Sequence, residues 1–328
     1  MQNNSGTITT SHGEYISPFV FDMYDGFNKK PYSLDSCVDR LQGMCEVVFR
    51  KNNQTFSFSK LVMPKKYEIK NHDKKVVLGF SGGLDSVYQA IWLKESGWDV
   101  ILYHLKGVNT YENGQATKHC LEIARGLGMI YEESVFKKKH NSQQWPENPI
   151  KNQLILSLMI DYCIDKDIRY ISLGDDFNLS ITDAVQGVNV TDAREITHSF
   201  IDGIRRYVDV RFIKVEECNK LERIQKLKEY GLENLYYSCV QAGRFNKSLH
   251  DKAEQKYGVN LFANNCGCYC RKCAMHNLLM YYGGEVEFPK EFVNKCWEVM
   301  WKNSYSADYE LFRPDLPEKS RIKNLFDY

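Results

Sequence analysis

Residues 74–86 read KKVVLGFSGGLDS, and this is the most informative stretch of the chain. Its first half is a short apolar run rich in β-branched side chains, which is typical of a buried parallel strand. The run breaks at Ser81, Gly82 and Gly83, and a helical pattern follows. Adjacent glycines let a backbone approach a ligand closely, and the first turn of a helix presents unpaired N–H groups. The stretch therefore predicts a phosphate-binding loop between a strand and a helix.

Strands and helices alternate after this loop. Predicted helices cover 86–96, 114–127 and 149–166, and predicted strands cover 99–105, 130–135 and 168–173. Such alternation favours an α/β fold with a parallel sheet. Ligands of these sheets bind beyond the carboxyl ends of the strands, where the loop and the turn at 174–176 are both expected.

The chain has a different character on either side of this α/β region. We predict three domains, which are a small β-containing extension at 1–72, the α/β domain at 73–215, and a helical cysteine-rich region at 216–328. The extension holds a predicted β-hairpin at 45–61, where polar and apolar side chains alternate around two asparagines. Helices are predicted in the last region at 217–230, 271–282 and 290–302.

The composition is that of a balanced globular chain. Of the 328 residues, 43% are hydrophobic, which is enough for a full core, and the formal net charge of +1 argues against nucleic acid as a partner. The longest apolar runs fall far short of a membrane span, and the polar first residues lack the apolar core of a signal peptide. We therefore expect a cytoplasmic protein without a membrane partner.

Cysteines crowd together late in the chain. Of the 11 cysteines, four stand in NNCGCYCRKC at Cys266, Cys268, Cys270 and Cys273, and Cys239 precedes them. An odd number at irregular spacing argues against a disulfide framework. A Cys-x-x-Cys pair is the usual turn that gives two thiolates to one metal, and Cys239 with three of the four would complete a zinc site. An iron–sulfur cluster and a redox pair are the rival interpretations.

The SGGLDS loop resembles the pyrophosphate loop of the ATP pyrophosphatase superfamily, whose members cleave ATP between the α and β phosphates and adenylate a substrate. The resemblance implies an adenine nucleotide alpha-hydrolase-like fold, with a parallel sheet flanked by helices, and the use of ATP and Mg²⁺. It further implies that Asp85 acts in catalysis by placing Mg²⁺ or the ribose. The implied ATP-binding residues are Phe80, Ser81, Gly82, Gly83, Leu84, Asp85 and Ser86.

A narrower resemblance is to 7-cyano-7-deazaguanine synthase. That family carries an upstream Ser-Cys and a downstream Cys-Gly-x-Cys-x-x-Cys run, which look like residues 238–239 and 270–273 here. The first cysteine of the run would fall at Gly267, so Cys266 is favoured over Cys268 because it preserves the Cys-Gly step. The implied Zn²⁺ ligands are Cys239, Cys266, Cys270 and Cys273, with Cys268 as the alternative to Cys266.

Two further stretches look like the same family. KNQLILSL at 151–158 resembles its Arg-Asn-x-x-Phe-Leu-Ser-Leu helix start, which implies that Lys151 neutralises phosphate in catalysis and that Asn152 binds substrate. Lysine in place of arginine keeps the positive charge but cannot bind phosphate through two parallel hydrogen bonds, as a planar guanidinium can. Asp192 and Arg194 resemble an Asp-Cys-Arg element of the deazaguanine pocket, although by residue type alone they would be a surface ion pair.

The resemblance implies an ATP-dependent ligase whose partner is a small deazapurine carboxylate, 7-carboxy-7-deazaguanine. Adenylation would release pyrophosphate, and ammonia would then give an amide or a nitrile. The match covers about residues 74–282, and the extensions leave open a variant that passes the activated deazaguanine to a protein amine, as in antiphage relatives. Dimers are common in the family, so a homodimer is also allowed.

Two alternatives use the same loop differently. An ATP-dependent tRNA sulfurtransferase would need a persulfide-bearing cysteine, and Cys120 and Cys163 are the candidates, although both lie on apolar helix faces. A non-enzymatic module would bind nucleotide and use the cysteine region and the extensions to bind a partner protein. Pyrophosphate release in the presence of ATP and a carboxylate would separate the last alternative from an enzyme.

Overall fold

The computed structural model of the protein describes residues 7–10, 13–15, 21–24, 55–58, 68–106, 114–137, 151–174, 184–185, 188–189, 208–214, 218–236, 239, 246–262, 265–302 and 314–327. The strands are β1 (Thr7–Thr10), β2 (Gly13–Tyr15), β3 (Phe21–Tyr24), β4 (Thr55–Phe58), β5 (Lys75–Gly79), β6 (Asp99–Lys106), β7 (Ile130–Lys137), β8 (Tyr170–Leu173), β9 (Ala184–Val185), β10 (Val188–Asn189) and β11 (Arg211–Phe212). The helices are α1 (Leu84–Glu95), α2 (Gly114–Leu127), α3 (Lys151–Lys166), α4 (Lys220–Glu229), α5 (Asn246–Tyr257), α6 (Arg271–Tyr282), α7 (Lys290–Lys302) and α8 (Glu318–Asp327).

A seven-stranded sheet has the order β11-β8-β5-β6-β7-β1-β2. The strands from β11 to β7 are parallel, and β1 and β2 continue the sheet in antiparallel pairing beyond β7. The central strands are fully buried, as at Val77, Leu102 and Ile171, which explains why their sequences are nearly continuous apolar runs. The predicted α/β class with a parallel sheet is confirmed, and the start of the N-terminal extension belongs to that sheet.

The strand order has a switch point at β5. The chain proceeds from β5 to β6 and β7 on one side, and then returns to β8 and β11 on the other. The backbone N–H of Phe80 donates to the carbonyl of Tyr103 at 2.8 Å, so the pairing of β5 continues to its last residue before the loop. His104 Nδ1 lies 2.8 Å from the Phe80 carbonyl oxygen and secures the same point. Such a strand end is where doubly wound sheets bind ligands, and the SGGLDS loop starts there.

The chain divides into two compact units. One comprises Met1–Phe80, Trp92–Thr110 and Met129–Val215, and it contains the sheet and α3. The other comprises Ser81–Ile91, Tyr111–Gly128 and Glu216–Tyr328, so the glycine-rich loop and the cysteine region fall in the same unit. The three-domain division at 1–72, 73–215 and 216–328 stays a prediction.

The second unit has an apolar core built around α6 and α7. Leu278 and Leu279 of α6 meet Phe292 and Met300 of α7, all at most 1% exposed, and Leu325 of α8 joins them. A second, smaller cluster is made of four buried cysteines. Among the described helices, none combines the length and the apolar character that a membrane span requires.

Several elements differ from the sequence predictions. The strand predicted near 55–61 is present as β4, but its antiparallel partner is β3, and the other arm of the predicted hairpin lies outside the described residues. Helices α5 and α8 were not predicted, because both are rich in charged residues and α8 follows a proline-containing stretch. Their burial depends on partners that lie elsewhere in the chain.

Candidate functional site

Hydrogen bonds of two serines hold the glycine-rich loop. Ser86 Oγ donates to the Gly83 carbonyl at 3.1 Å and accepts from the Ser81 N–H at 3.3 Å. The Ser81 hydroxyl lies 3.1 Å from Ser86 Oγ and accepts from the Gly83 N–H at 3.3 Å. Because Ser86 already donates to Gly83, the Ser81 hydroxyl is the donor between the two serines. The loop is thus closed on itself at the start of α1, with Ser81 exposed.

Gly82 occupies a position that strongly favours glycine. Its φ is +71°, a backbone conformation that costs other residues free energy. A Cβ at this position would also lie 2.8 Å from Sγ of Cys120, on α2. The loop backbone therefore lies directly on a buried thiol, with its N–H groups near the N-terminus of α1, where anions are favoured.

Asp85 forms ion pairs with two cations from a distant helix. Its Oδ1 accepts from Arg223 Nη1 at 2.6 Å and from Lys220 Nζ at 3.3 Å. Burial opposes ionisation of this carboxyl, but the charges of Lys220 and Arg223 outweigh it and hold the pKa of Asp85 well below its usual range. The carboxylate therefore stays ionised and fixes both cations beside the loop.

Helix α4 places these two cations because it begins with a capping box. The Asn219 side chain accepts from the Glu222 N–H at 3.0 Å, and the Glu222 carboxylate accepts from the Asn219 N–H at 2.8 Å. Lys220 is thereby the first helical residue, and Arg223 follows one turn later. Both cations were missed in the sequence because they look like the solvated face of a charged helix. The Asn-x-x-Glu pattern at 219–222 is the signal that could have placed them in the first turn.

The four cysteines Cys239, Cys266, Cys270 and Cys273 come together. Their sulfur atoms all lie within 4.8 Å of one another, and the sulfurs of Cys239 and Cys270 are 3.9 Å apart. All four side chains are buried. Cys270 is the N-cap of α6, and its sulfur accepts from the Cys273 N–H at 3.5 Å. The Cys266 N–H donates to the sulfur of Cys273 at 3.4 Å.

Cys268 lies apart from this cluster. It is 2% exposed and belongs to the apolar core around α6 and α7. The intervening Gly267 has a φ of +74°, and a Cβ there would lie 2.4 Å from Cβ of Ala253. The tight turn at Gly267 separates the two flanking cysteines, so that Cys266 joins the cluster and Cys268 packs elsewhere.

The sulfur spacing fits one tetrahedral ion. Four Zn–S bonds of about 2.3 Å in a tetrahedron separate the sulfurs by about 3.8 Å, close to the Cys239–Cys270 distance. An iron–sulfur cluster places inorganic sulfide and several irons between its cysteines, so it needs wider spacing. Hydrogen bonds from Cys239 and Cys266 hold the pKa of Cys270 well below its usual value, and hydrogen bonds within the cluster raise the pKa of Cys273.

A buried histidine lies near both the Asp85 ion pairs and the cysteine cluster. His276 is on α6, and its Nδ1 lies 3.3 Å from the hydroxyl of Tyr236. Burial is the main cause that lowers the pKa of His276 to about 4, and the charge of Lys220 acts in the same direction. His276 is therefore neutral at physiological pH.

The remaining predicted site residues are less fully described. Lys151 and Asn152 are the first residues of α3, and their side chains lie outside the described part of the structure. Asp192 and Arg194 lie outside the described residues altogether. The roles implied for these four residues stay predictions.

No family model matches the chain. It is 37% identical over 75 residues to the tRNA-specific 2-thiouridylase MnmA of Bacillus thuringiensis (strain Al Hakam), and equally to that of Bacillus anthracis. Each match covers 21% of this chain, and the chain spans only 20% of the length of these relatives.

Solved structures with related folds have low similarity. The U34-tRNA thiolase NcsA from Methanococcus maripaludis, solved with its [4Fe-4S] cluster, is 16% identical with a TM-score of 0.36, covering 67% of this chain and 74% of its own. The NH3-dependent NAD synthetase from Campylobacter jejuni is 13% identical with a TM-score of 0.33, covering 85% and 97%. The sheet order, the SGGLDS loop and the 2-thiouridylase match support a relationship to the PP-loop ATP pyrophosphatase superfamily.

Proposed function

We propose that the chain is an ATP-dependent ligase that adenylates 7-carboxy-7-deazaguanine and releases pyrophosphate. The observation that carries the proposal is the four-cysteine centre, whose sulfurs lie within 4.8 Å of one another in the same compact unit as the pyrophosphate loop. A pyrophosphate loop combined with a single-ion cysteine centre that uses the Cys266–Gly267 step is the combination that the resemblance to 7-cyano-7-deazaguanine synthase predicts.

In the first step, a carboxylate oxygen of the substrate attacks the α phosphorus of ATP. The bond from that phosphorus to the bridging oxygen breaks, and pyrophosphate leaves with the bonding electrons. The leaving group would bind at the loop and the N-terminus of α1, where the Ser81 hydroxyl and the Gly83 N–H exchange their hydrogen bonds within the loop for bonds to phosphate oxygens, while Lys220 and Arg223 offset its charge. Holding both reactants in line can supply about 7–11 kcal/mol of the barrier reduction.

Mg²⁺, when bound, would offset further charge on the phosphates. Asp85 suits such an ion, because its carboxylate is held ionised beside the loop and both of the cation contacts described for it use Oδ1. Zn²⁺ would be held by Cys239, Cys266, Cys270 and Cys273. Four thiolates leave no open coordination position, so these residues serve structure and join the 266–270 turn to α6.

In the second step, ammonia attacks the acyl carbon of the adenylate, AMP leaves, and an amide forms. A second adenylation on the amide oxygen, followed by loss of AMP and protons, gives the nitrile. In the variant that the sequence extensions leave open, a protein amine takes the place of ammonia.

The test is an assay with ATP, Mg²⁺ and 7-carboxy-7-deazaguanine, with and without ammonia, with the products identified by mass spectrometry. We expect AMP, pyrophosphate and an ammonia-dependent amide or nitrile. Ser86→Ala, which removes the hydroxyl that closes the loop, should abolish product, while Ser96→Ala at the other end of α1 should not. A trapped adenylate without amide would indicate a protein amine as acceptor, and ATP binding without any AMP would indicate a non-enzymatic module.

The match to the 2-thiouridylases favours tRNA sulfur transfer as the second candidate. Two features weigh against it. The candidate sulfur carriers Cys120 and Cys163 are both fully buried, and burial raises the pKa of Cys163, which disfavours the reactive thiolate. The cysteine cluster is also spaced for one ion. Incorporation of sulfur into tRNA in the presence of ATP and a sulfur donor would establish this second candidate.

A further inference from the structure

Two buried asparagines form a closed ring of hydrogen bonds beside the cysteine cluster. Asn277 lies on α6, one turn beyond Cys273, and its Nδ2 donates to the Gly267 carbonyl at 3.0 Å. Its Oδ1 accepts from Asn265 Nδ2 at 2.6 Å. Asn265 Oδ1 in turn accepts from the Gly267 N–H at 2.7 Å. The N–H and the carbonyl of Gly267 are therefore both hydrogen-bonded to side chains.

A second layer ties this ring to α5. His250 Nδ1 donates to the Asn265 carbonyl at 2.8 Å, since a carbonyl oxygen only accepts. His250 Nε2 lies 3.3 Å from Glu254 Oε1, and the same oxygen accepts from the Leu261 N–H at 2.9 Å. The turn that contains Gly267 is thus connected to two helices.

Because the two asparagines are buried, the ring allows few alternative hydrogen-bond arrangements. Asn265 is 6% exposed and Asn277 is 3% exposed, and each side-chain amide group of the pair has a described partner. A buried polar group that loses its partner costs about 1–3 kcal/mol, so few alternative arrangements are accessible. The ring therefore holds the backbone of Gly267 in one conformation.

That conformation decides where the flanking cysteines point. Cys266 precedes Gly267 and joins the four-sulfur cluster, while Cys268 follows it and packs in the apolar core. A peptide held less firmly at Gly267 would let the sulfur of Cys266 move away from Cys273. The ring thus controls the separation between one ligand and the other three.

We propose that Asn265 and Asn277 are positioning residues that hold Cys266 at the spacing of a single tetrahedral ion, and so make the centre select one ion over an iron–sulfur cluster. The inference rests on the metal centre of the proposed function, but not on its substrate. Groups that orient metal ligands typically contribute 10- to 100-fold in metal affinity.

The test compares Asn277→Ala and Asn265→Ala with the parent protein and with Asn294→Ala, an exposed position on α7. Zinc affinity is measured by chelator competition, and Co²⁺ absorption reports the tetrahedral thiolate geometry. We expect each ring variant to bind zinc about 10- to 100-fold more weakly, with an altered Co²⁺ spectrum. Anaerobic reconstitution with iron and sulfide should give cluster absorbance in the ring variants and not in the parent. Asn294→Ala should behave as the parent.

Conservative variants keep the test decisive if the alanine variants fail to fold. Asn277→Asp retains an acceptor for Asn265 and replaces the donor to Gly267 with a carboxylate oxygen, and circular dichroism verifies its fold. Zinc affinity in a folded Asn277→Asp within about twofold of the parent would overturn the proposal, as would cluster uptake by the parent equal to that of the variants. A parent that binds no zinc would overturn both the metal centre and this inference, whereas unchanged variants in a zinc-binding parent would overturn the positioning role alone.

Discussion

Gly82 shows how a single position constrains the pyrophosphate loop. It combines a positive φ of +71° with close contact to Cys120, whereas Gly97 has a φ of +78° and no atom within 4 Å of the place that a Cβ would take. Both positions would strain a non-glycine backbone, but only Gly82 would add a steric contact, so comparing the two distinguishes these effects. The thiol of Cys120 is part of the surface on which the loop rests.

We expect Gly82→Ala and Gly97→Ala each to lower the free energy of unfolding by about 1–2 kcal/mol through the left-handed backbone. Only Gly82→Ala should also abolish AMP formation, because its Cβ pushes the loop away from Cys120. Urea unfolding and ATP turnover measure the two effects. Equal turnover in both variants would contradict the role of this contact.

His276 makes stability depend on pH. Its pKa in the folded protein is about 4, below the 6.5 of an unfolded chain, so the unfolded state takes up a proton first as the pH falls. Above pH 6.5 the histidine is neutral in both states and does not change the free energy of unfolding. As the pH drops from 6.5 toward 4, the free energy of unfolding decreases. The full shift corresponds to about 3 kcal/mol. The groups that act on it are Tyr236, Lys220, Asp85, Lys272 and Cys270.

His276→Gln should remove this dependence while keeping a hydrogen-bonding group for Tyr236. Urea unfolding at several pH values between about 4 and 7 gives the comparison, with metal content followed in parallel because thiols also take up protons as metal is lost. The parent should lose more stability than the variant over this range. Identical pH profiles would show that His276 is not the titrating group.

At the scale of elements, the N-terminus of α4 links helix formation to the proposed ATP site. The capping box of Asn219 and Glu222 fixes the first turn, and that turn carries Lys220 and Arg223. Fraying of this turn would release both cations from Asp85. We therefore expect the cap to affect ligand binding at the proposed site as well as stability.

Asn219→Ala should cost about 1 kcal/mol of stability and weaken pyrophosphate binding by about fivefold. Asn219→Asp, which keeps an N-cap acceptor, is the matched control and should stay close to the parent. Thermal unfolding and pyrophosphate titration calorimetry provide the readings. Pyrophosphate affinity unchanged in Asn219→Ala would mean that α4 does not present the cations to the ligand.

Element prediction succeeded where local signals were strong. Helix α2 at Gly114–Leu127, α6 at Arg271–Tyr282 and α7 at Lys290–Lys302 have the predicted bounds, and β5 lies in the predicted apolar run. The sequence did not reveal β11 or α5, because a two-residue strand and a highly charged helix carry little periodicity.

At the scale of the whole molecule, the cysteine centre and the pyrophosphate loop share one compact unit although more than a hundred residues separate them. Helix α6 carries Cys273, and α4 carries the cations of the loop. The two helices are connected near the end of α6, where Glu285 accepts from Gln225 at 2.7 Å and from Lys228 at 3.0 Å. We therefore expect a loss of structure at the cysteine centre to change the conformation of the loop and its affinity for pyrophosphate.

Metal removal is expected to lower the melting temperature and to weaken pyrophosphate binding together. Cys239→Ser should reproduce both effects because it removes one of the four sulfurs, whereas Cys218→Ser, outside the cluster, should produce neither. Differential scanning calorimetry and pyrophosphate titration with and without a chelator test this. Undiminished pyrophosphate affinity in the metal-free protein would show that the two sites are independent.

The amino-acid sequence was enough to predict the parallel α/β class, the position of the glycine-rich loop, and the grouping of Cys239 with the late cysteines, because each depends on local patterns of apolar residues, glycines and cysteine spacing. The pairing of Lys220 and Arg223 with Asp85 became apparent only from the tertiary structure, which also shows that Cys266, the cysteine favoured by the resemblance, joins the cluster while Cys268 does not. Both outcomes depend on contacts between distant residues. The ion pairs of Asp85 require that α4 lies beside the loop. The placement of Cys266 requires that Asn265 and Asn277 hold the N–H and the carbonyl of Gly267.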